Sequence, residues 1–294
     1  MVPYVPEWRL TASGATRQHP ESIEGRCATR SIARDRPWRK LRLPLFIPSG
    51  GFGVPARRQR VLALIAVRNQ LSHLRGCIES LRSQVDGIVA LDDGSTDGSL
   101  EFLESCAEVL ELIRISCRRP HWDEIGNHRR LVAAGLRHGA DWLLSIDADE
   151  RVELQFRARA ERVIRRGNAF GLTAYALQLR EIWDDPLCYR ADGIWGRKRV
   201  ARLFRALPDH RFDTRPLHGV KAPLQARIGD RYPATDIAIY HLAMLRAEDR
   251  LARRRRYEAL DPDARWQPHV GYAYLTAEDG LKLCRVPRRR GYAA

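Results

Sequence analysis

The stretch Trp142-Leu143-Leu144-Ser145-Ile146-Asp147-Ala148-Asp149-Glu150 opens as an apolar run and ends in acids. Trp142 to Ile146 is short, apolar and bounded by charge, the pattern of a strand covered on both faces of a parallel sheet. Side chains alternate along a strand, so Asp147 and Asp149 are expected to point the same way. Two carboxylates held side by side repel, which would raise one pKa, and a bound cation removes that cost. Oxygen donors favour Mg²⁺ or Mn²⁺ over zinc. The C-terminal edge of a parallel strand is where open α/β sheets bind ligands. The stretch therefore reads as a metal site that holds a phosphate-bearing substrate. The same residues also suit an acidic turn leading into the Arg-rich segment that follows.

Upstream, Val61 to Val67 repeats the buried-strand pattern, and Arg68-Asn69 closes it. Leu71, Leu74, Ile78 and Leu81 fall at helical spacing, so Ser72 to Ser83 should form an amphipathic helix with Ser72 as its cap. Gly87 to Leu91 reads as a second strand and Val109 to Ile115 as a third. A helix over Ile125 to His138 then leads to the strand at Trp142. Strands and helices alternating in short units indicate a parallel sheet with right-handed crossovers.

After the second strand comes Asp92-Asp93-Gly94-Ser95-Thr96-Asp97-Gly98-Ser99. Its acids can accept hydrogen bonds from a ribose or a base edge, and Gly94 permits close backbone approach. Asp97 or Ser99 can equally cap the next helix.

Asn69 after the first strand, this acidic loop after the second and Asp147-Ala148-Asp149-Glu150 after the fourth resemble family 2 glycosyltransferases of the GT-A fold. The resemblance runs over about 61–152. It implies an α/β fold of GT-A type, a Rossmann-like, mostly parallel sheet flanked by helices, with a mixed acceptor-side C-terminal half. It implies a nucleotide-sugar donor, a divalent cation (Mn or Mg) and usually an inverting mechanism. Asp92 or Asp93 would face the nucleoside beside Asn69. Asp147 would sit near the ribose or the metal, and Asp149 would ligate the metal that bridges the diphosphate. Arg129 or Arg130 stands where the family often has an arginine before the Asp-x-Asp strand. Leu131 replaces the usual asparagine after it, which weakens that assignment.

In the second half, Glu153 to Gly167 reads as a basic helix, and Phe170 to Leu179 as a strand leading to Arg180-Glu181-Ile182-Trp183-Asp184-Asp185-Pro186. Transfer with inversion needs a carboxylate to take the acceptor hydroxyl's proton. Asp185, with Asp184 as second choice, lies at a strand end beside Trp183, whose face could stack on a sugar, and Pro186 fixes the chain beyond. A Pro-terminated surface turn would look the same. Asp213 and His218 are the runners-up. Relatives often carry His-Glu here, whereas this chain has His218-Gly219.

Trp195 to Arg205 reads as a half-buried strand with a basic mouth, resembling the Arg-Leu-Phe-Arg element of many relatives; its arginines could grip a diphosphate or form a solvated edge. Ile237 to Leu242 is a final strand, and His241 stands where the family can complete metal coordination, though a lone histidine more often sits satisfied in a core. Arg246, Arg250 and Arg254 fall at helical spacing, a solvated face or a contact for anionic lipid or phosphate.

The chain has 294 residues and a formal net charge of +15. Such a balance attracts nucleic acid, anionic membrane or phosphorylated substrates without choosing among them. No apolar run reaches the ~18 residues that span a bilayer, and Met1 opens no signal-peptide pattern. The six cysteines are scattered without a Cys-x-x-Cys pair, which favours a reducing cytoplasm. Residues 1–60 read as a basic, partly disordered extension, and 61–290 as one catalytic domain, with 61–152 holding the donor and 153–290 the acceptor. The expected partners are a nucleotide sugar, a glycan or glycolipid acceptor in cell-surface polysaccharide, lipopolysaccharide or glycolipid synthesis, and an anionic membrane surface; nucleic acid is not expected. The rival enzyme reading is a nucleotidyltransferase, but Ala66-Val67-Arg68-Asn69-Gln70 lacks the Gly-rich phosphate loop. The rival without catalysis is a basic nucleic-acid-binding protein, which rests on charge alone and has no motif behind it.

Overall fold

A computed structural model describes residues 57–115, 122–215, 219–268 and 270–293. Most of the extension and His218 lie outside the described residues.

Strand β1 (Val61–Val67) is central because its side chains are apolar on both faces. Val61, Ala63, Ile65 and Val67 enter one core layer, while Leu62 and Leu64 enter the other. On one flank lie β2 (Ile88–Asp92) and β3 (Val109–Arg114), and on the other β4 (Trp142–Ser145), all parallel to it. Helices α1 (Leu71–Leu81) and α2 (Ser99–Ser105) contribute Leu74, Cys77, Ile78, Leu81 and Leu103 to the first layer. Helix α3 (Glu124–Arg137) closes the second. A Cβ on Gly135 would stand 2.6 Å from a Leu143 methyl, so glycine lets α3 lie directly on β4.

The order β3-β2-β1-β4 reverses beside β1, which makes a crevice at the C-terminal strand ends. The expected strand 170–179 begins and ends later, as β6 (Ala174–Trp183). It joins the sheet through β8 (Arg199–Arg205), antiparallel to both β4 and β6, so β6 also ends at that edge. Next to β6 runs β9 (Ala234–His241), parallel to it, and β9 pairs with the short β5 (Glu150–Val152). Helix α4 (Phe156–Asn168) covers this part. β7 (Asp185–Arg190) and β10 (Leu283–Arg285) extend the sheet outward, and α5 (Ala247–Leu260) follows β9.

Two local expectations change. Ser72 lies inside α1 rather than capping it; Gln70 is the N-cap and makes no side-chain cap bond. Asp97 and Ser99 do that work from the acidic loop, accepting the amides of Leu71 at 2.9 Å and Gln70 at 3.1 Å. The strand at Trp142 stops at Ser145, so Asp147 to Asp149 form a turn and strand alternation does not govern them.

Candidate active site

Asp147 and Asp149 leave the turn toward different partners. Asp147 Oδ2 accepts from Arg202 at 2.6 Å, and its other oxygen takes the Lys221 ammonium. Arg202 also reaches Glu150 at 2.7 Å. β8 delivers Arg202 because Leu203 pairs with Leu144, which sets the preceding residue beside the end of β4. The guanidinium is buried, so Arg202 is neither a solvated edge nor free to grip a diphosphate: the acidic turn holds it. Burial alone would raise the Asp147 pKa, but Arg202 and Lys221 hold it well below the carboxylate range. The expected upward push from its neighbour falls instead on Glu150, raised by burial and only partly relieved by Arg202.

Asp149 Oδ2 lies 3.2 Å from His241 Nε2, and Glu181 holds His241 Nδ1 from the opposite side. Pairing of Glu181 with His241 across β6 and β9 makes this contact. Lys198 reaches Glu181 at 2.5 Å. Burial would lower His241, but Glu181 and Asp149 raise it to about 9. Asp149 falls to about 2 because His241 outweighs its burial.

An Asp149 carboxylate and the Nε2 of a histidine whose other nitrogen is held by a buried carboxylate suit a divalent cation. That is the outer-shell arrangement which orients ligating histidines. Mg²⁺ and Mn²⁺ sites commonly use one or two protein groups and complete the shell with phosphates and water. Among the described residues, no group of three or more His, Cys, Asp or Glu side chains is arranged for a metal.

The acidic loop builds a second part of the crevice. Asp93 is fully buried, and its Oδ2 accepts from Arg68 at 2.7 Å and Asn127 at 3.2 Å. Asp92 Oδ2 accepts the amides of Gly94 and Ser95, each at 3.0 Å, with Gly94 at φ 76°. The remaining oxygens, Asp92 Oδ1 and Asp93 Oδ1, are buried with no hydrogen-bond partner among the described residues. Arg68 lies over the Trp122 ring at 5.8 Å. Asn69 works through the loop: its Oδ1 accepts the Thr96 amide at 2.7 Å, and its own amide reaches Ser95. Arg130 is further out, 3.4 Å from Asn127 and 3.6 Å from Asp123.

Asp184 and Asp185 do not join this cluster by any contact among the described residues. Asp184 pairs with Arg250 at 2.9 Å, and Asp185 accepts the Leu187 amide at 2.7 Å. Trp183 is fully buried between Arg250, 4.1 Å over its ring, and Arg190 at 4.5 Å, so it has no face for a sugar. Arg250 is itself buried, which removes it from any solvated face of α5. Asp213 is occupied by Arg215 and the Val220 amide.

Sequence reasoning passed over Arg68, Asn127, Glu181 and Lys221 as site residues. Asn127 gave a readable signal: it is a polar residue on the apolar side of a helix. The others gave none, because their partners are 17 to 97 positions away along the chain.

Residues 63–175 match the family described as Glycosyl transferase family 2. An uncharacterized protein of Mycobacterium tuberculosis is 27% identical over 245 residues, covering 79% of this chain and 59% of its own. A TPR repeat-containing protein of Synechococcus elongatus is 29% identical over 164 residues, covering 55% of this chain and 36% of its own. The chain thus spans little more than half the length of the first relative and about a third of the second. Among solved structures, residues 1–349 of TarS from S. aureus superpose with a TM-score of 0.44 at 12% identity, over 73% of this chain and 74% of that one. Residues 63–175 are thus similar to the glycosyl transferase family 2, and the acidic turn at Asp147–Glu150 lies within them.

Proposed function

We propose that the protein transfers a sugar from a nucleoside-diphosphate donor to an acceptor hydroxyl, with inversion and with a divalent cation held by Asp149 and His241. The observation that carries this reading is the Asp149–His241–Glu181 line at the ends of β4, β6 and β9, beside the buried free oxygens of Asp92 and Asp93. When bound, Mn²⁺ or Mg²⁺ supplies Lewis-acid neutralisation of the leaving diphosphate. Asp92 and Asp93 offer acceptor oxygens to the nucleoside, with Asn127 and Arg68 fixing Asp93 and Asn69 bracing the loop. Arg202 and Lys221 hold Asp147 ionised next to the donor. Glu181 fixes the orientation of His241. Arg130 stands at the outer rim, within reach of the nucleotide.

Within this reading Asp185 remains the candidate base. It stands past the C-terminal end of β6 and carries no ion pair among the described residues, whereas Arg250 takes Asp184. Asp185→Asn is expected to lower turnover about 10²–10⁴-fold while nucleotide affinity stays unchanged. Full turnover in Asp185→Asn would transfer the role to another carboxylate. A glycan or glycolipid acceptor at an anionic membrane surface fits the excess of arginine. Among the described residues no helix is long and apolar enough to cross a membrane.

The deciding experiment is a panel of nucleotide sugars and nucleoside diphosphates, with Mn²⁺ or Mg²⁺, scored by melting temperature and by release of the nucleotide. A ligand that binds only the folded state raises the melting temperature. Absence of any shift across the panel overturns the donor site.

A further inference from the structure

We propose that Arg253 competes with the divalent cation for Asp149 and His241, and that the displaced guanidinium then binds the phosphate oxygens that accompany the cation. This rests on the donor-site reading above and assigns a role to a residue outside the acidic turn.

One guanidinium touches both groups that would hold the metal. Arg253 Nη1 lies 3.7 Å from Asp149 Oδ2 and 3.4 Å from His241 Nε2, and those two atoms are 3.2 Å apart. The three form a tight triangle. A divalent ion on the carboxylate and the imidazole would stand within van der Waals range of the guanidinium. Repulsion there is twice that of two unit charges at the same distance. Both cations cannot keep the same two atoms.

The other cations at the turn are committed. Arg202 bridges Asp147 and Glu150, Lys221 takes Asp147, and Lys198 takes Glu181. Arg253 has Asp149 as its ion-pair partner and keeps 29% of its side chain exposed. Its helix is anchored one turn earlier by Arg250, which donates to the carbonyls of Met244 and Leu245 and pairs with Asp184 and Glu278. The backbone of α5 is thus held, while the Arg253 guanidinium, 5.4 Å over the Tyr257 ring, would turn about its own side-chain bonds. Once displaced it would remain within side-chain reach of Asp149, where a planar guanidinium could make two parallel bonds to a phosphate bound with the cation.

The consequence has opposite signs for two ligands. Without nucleotide, removing the guanidinium removes a competitor, so Mn²⁺ alone binds more tightly. With nucleotide, it removes a phosphate contact, so the diphosphate binds more weakly. A merely structural role for Arg253 would weaken both.

The test uses the full chain, with Arg253→Met and Arg253→Gln as variants of different shape and Arg253→Lys as the charge-conserving control. Free Mn²⁺ is titrated by electron paramagnetic resonance without nucleotide. UDP and GDP are then titrated calorimetrically at saturating Mn²⁺. Both neutral variants should bind Mn²⁺ about threefold more tightly or better. They should bind the nucleoside diphosphate about tenfold more weakly. Arg253→Lys should stay close to wild type in the first titration and regain part of the loss in the second. Unchanged or weaker Mn²⁺ binding in both neutral variants overturns the competition, and unchanged diphosphate binding overturns the second role. If the wild type binds both ligands and the variants match it, this inference fails alone. A wild-type protein that takes up neither Mn²⁺ nor diphosphate overturns the donor site and this inference together.

Discussion

Asp147 and Asp149 stand two residues apart and have divided their work. Asp147 is neutralised by two side-chain cations, while Asp149 faces a histidine and a partly exposed arginine. In the proposed site, Asp149 is therefore the carboxylate whose histidine partner a metal would share. Asp149→Asn keeps the shape but removes the charge that would hold the cation in the proposed site. It is expected to abolish the Mn²⁺-dependent rise in melting temperature with nucleotide, and metal-dependent turnover with it, while far-UV circular dichroism stays that of the wild type. A variant with near-normal turnover would return the motif to an acidic turn. Trp183 makes the opposite case, a residue attractive for function that packing claims. It sits between two buried arginines and next to Trp195, 5.7 Å away ring to ring. Trp183→Ala should cost about 3–5 kcal/mol in a denaturant titration. A loss well below that, with acceptor affinity falling instead, would restore it to sugar binding.

Helix α3 is where element packing meets the site. It supplies Asn127 to Asp93, and one residue on it supplies His128 to the segment that carries Lys221. His128 Nε2 lies 2.8 Å from the Lys221 carbonyl, so the neutral ring donates there. Phe212 packs edge-on against it at 4.9 Å. Burial first, and the Lys221 charge second, push His128 from 6.5 down to about 3. The unfolded chain takes up this proton first. The stability that depends on neutral His128 is complete above pH 6.5 and declines as the pH falls from there toward 3. The slope approaches about 1.4 kcal/mol per pH unit for one proton. His128→Gln keeps a donor for the carbonyl and cannot titrate. Its urea midpoint should therefore fall less between pH 6.5 and 4.5 than that of the wild type. Equal slopes would assign the acid sensitivity to other groups.

At the scale of the whole molecule, the formal net charge is +15, and part of the arginine excess is taken up in ion pairs. Several arginines are internal clamps. Arg157 joins Asp86 and Glu161, Arg159 joins Glu153 and Asp236, and Arg190 holds Asp192. Each of these three guanidinium groups, half-buried or buried, is met by a carboxylate. The compact unit runs from Ala56 to Ala294, and every group in the proposed donor site lies within it. Deletion of Met1 to Val54 is expected to leave nucleotide binding unchanged. Loss of binding in the truncated but folded protein would give the extension a part in the site.

The sequence by itself determined the parallel half-sheet, because Val61–Val67, Ile88–Asp92 and Trp142–Ser145 are apolar on both faces and punctuated by loops of fixed chemistry. It also determined the acids that end those strands, since three short motifs in order carry the family resemblance. Only the tertiary structure decided which acid faces which cation. Strand pairing of β6 with β9 and of β8 with β4 brings Glu181, His241 and Arg202 to the turn at Asp147–Glu150, and periodicity does not encode pairing between distant strands. The same holds for Trp183. Its chemistry suggested a sugar platform, but burial is set by what packs over a residue, and here two arginines from other segments do.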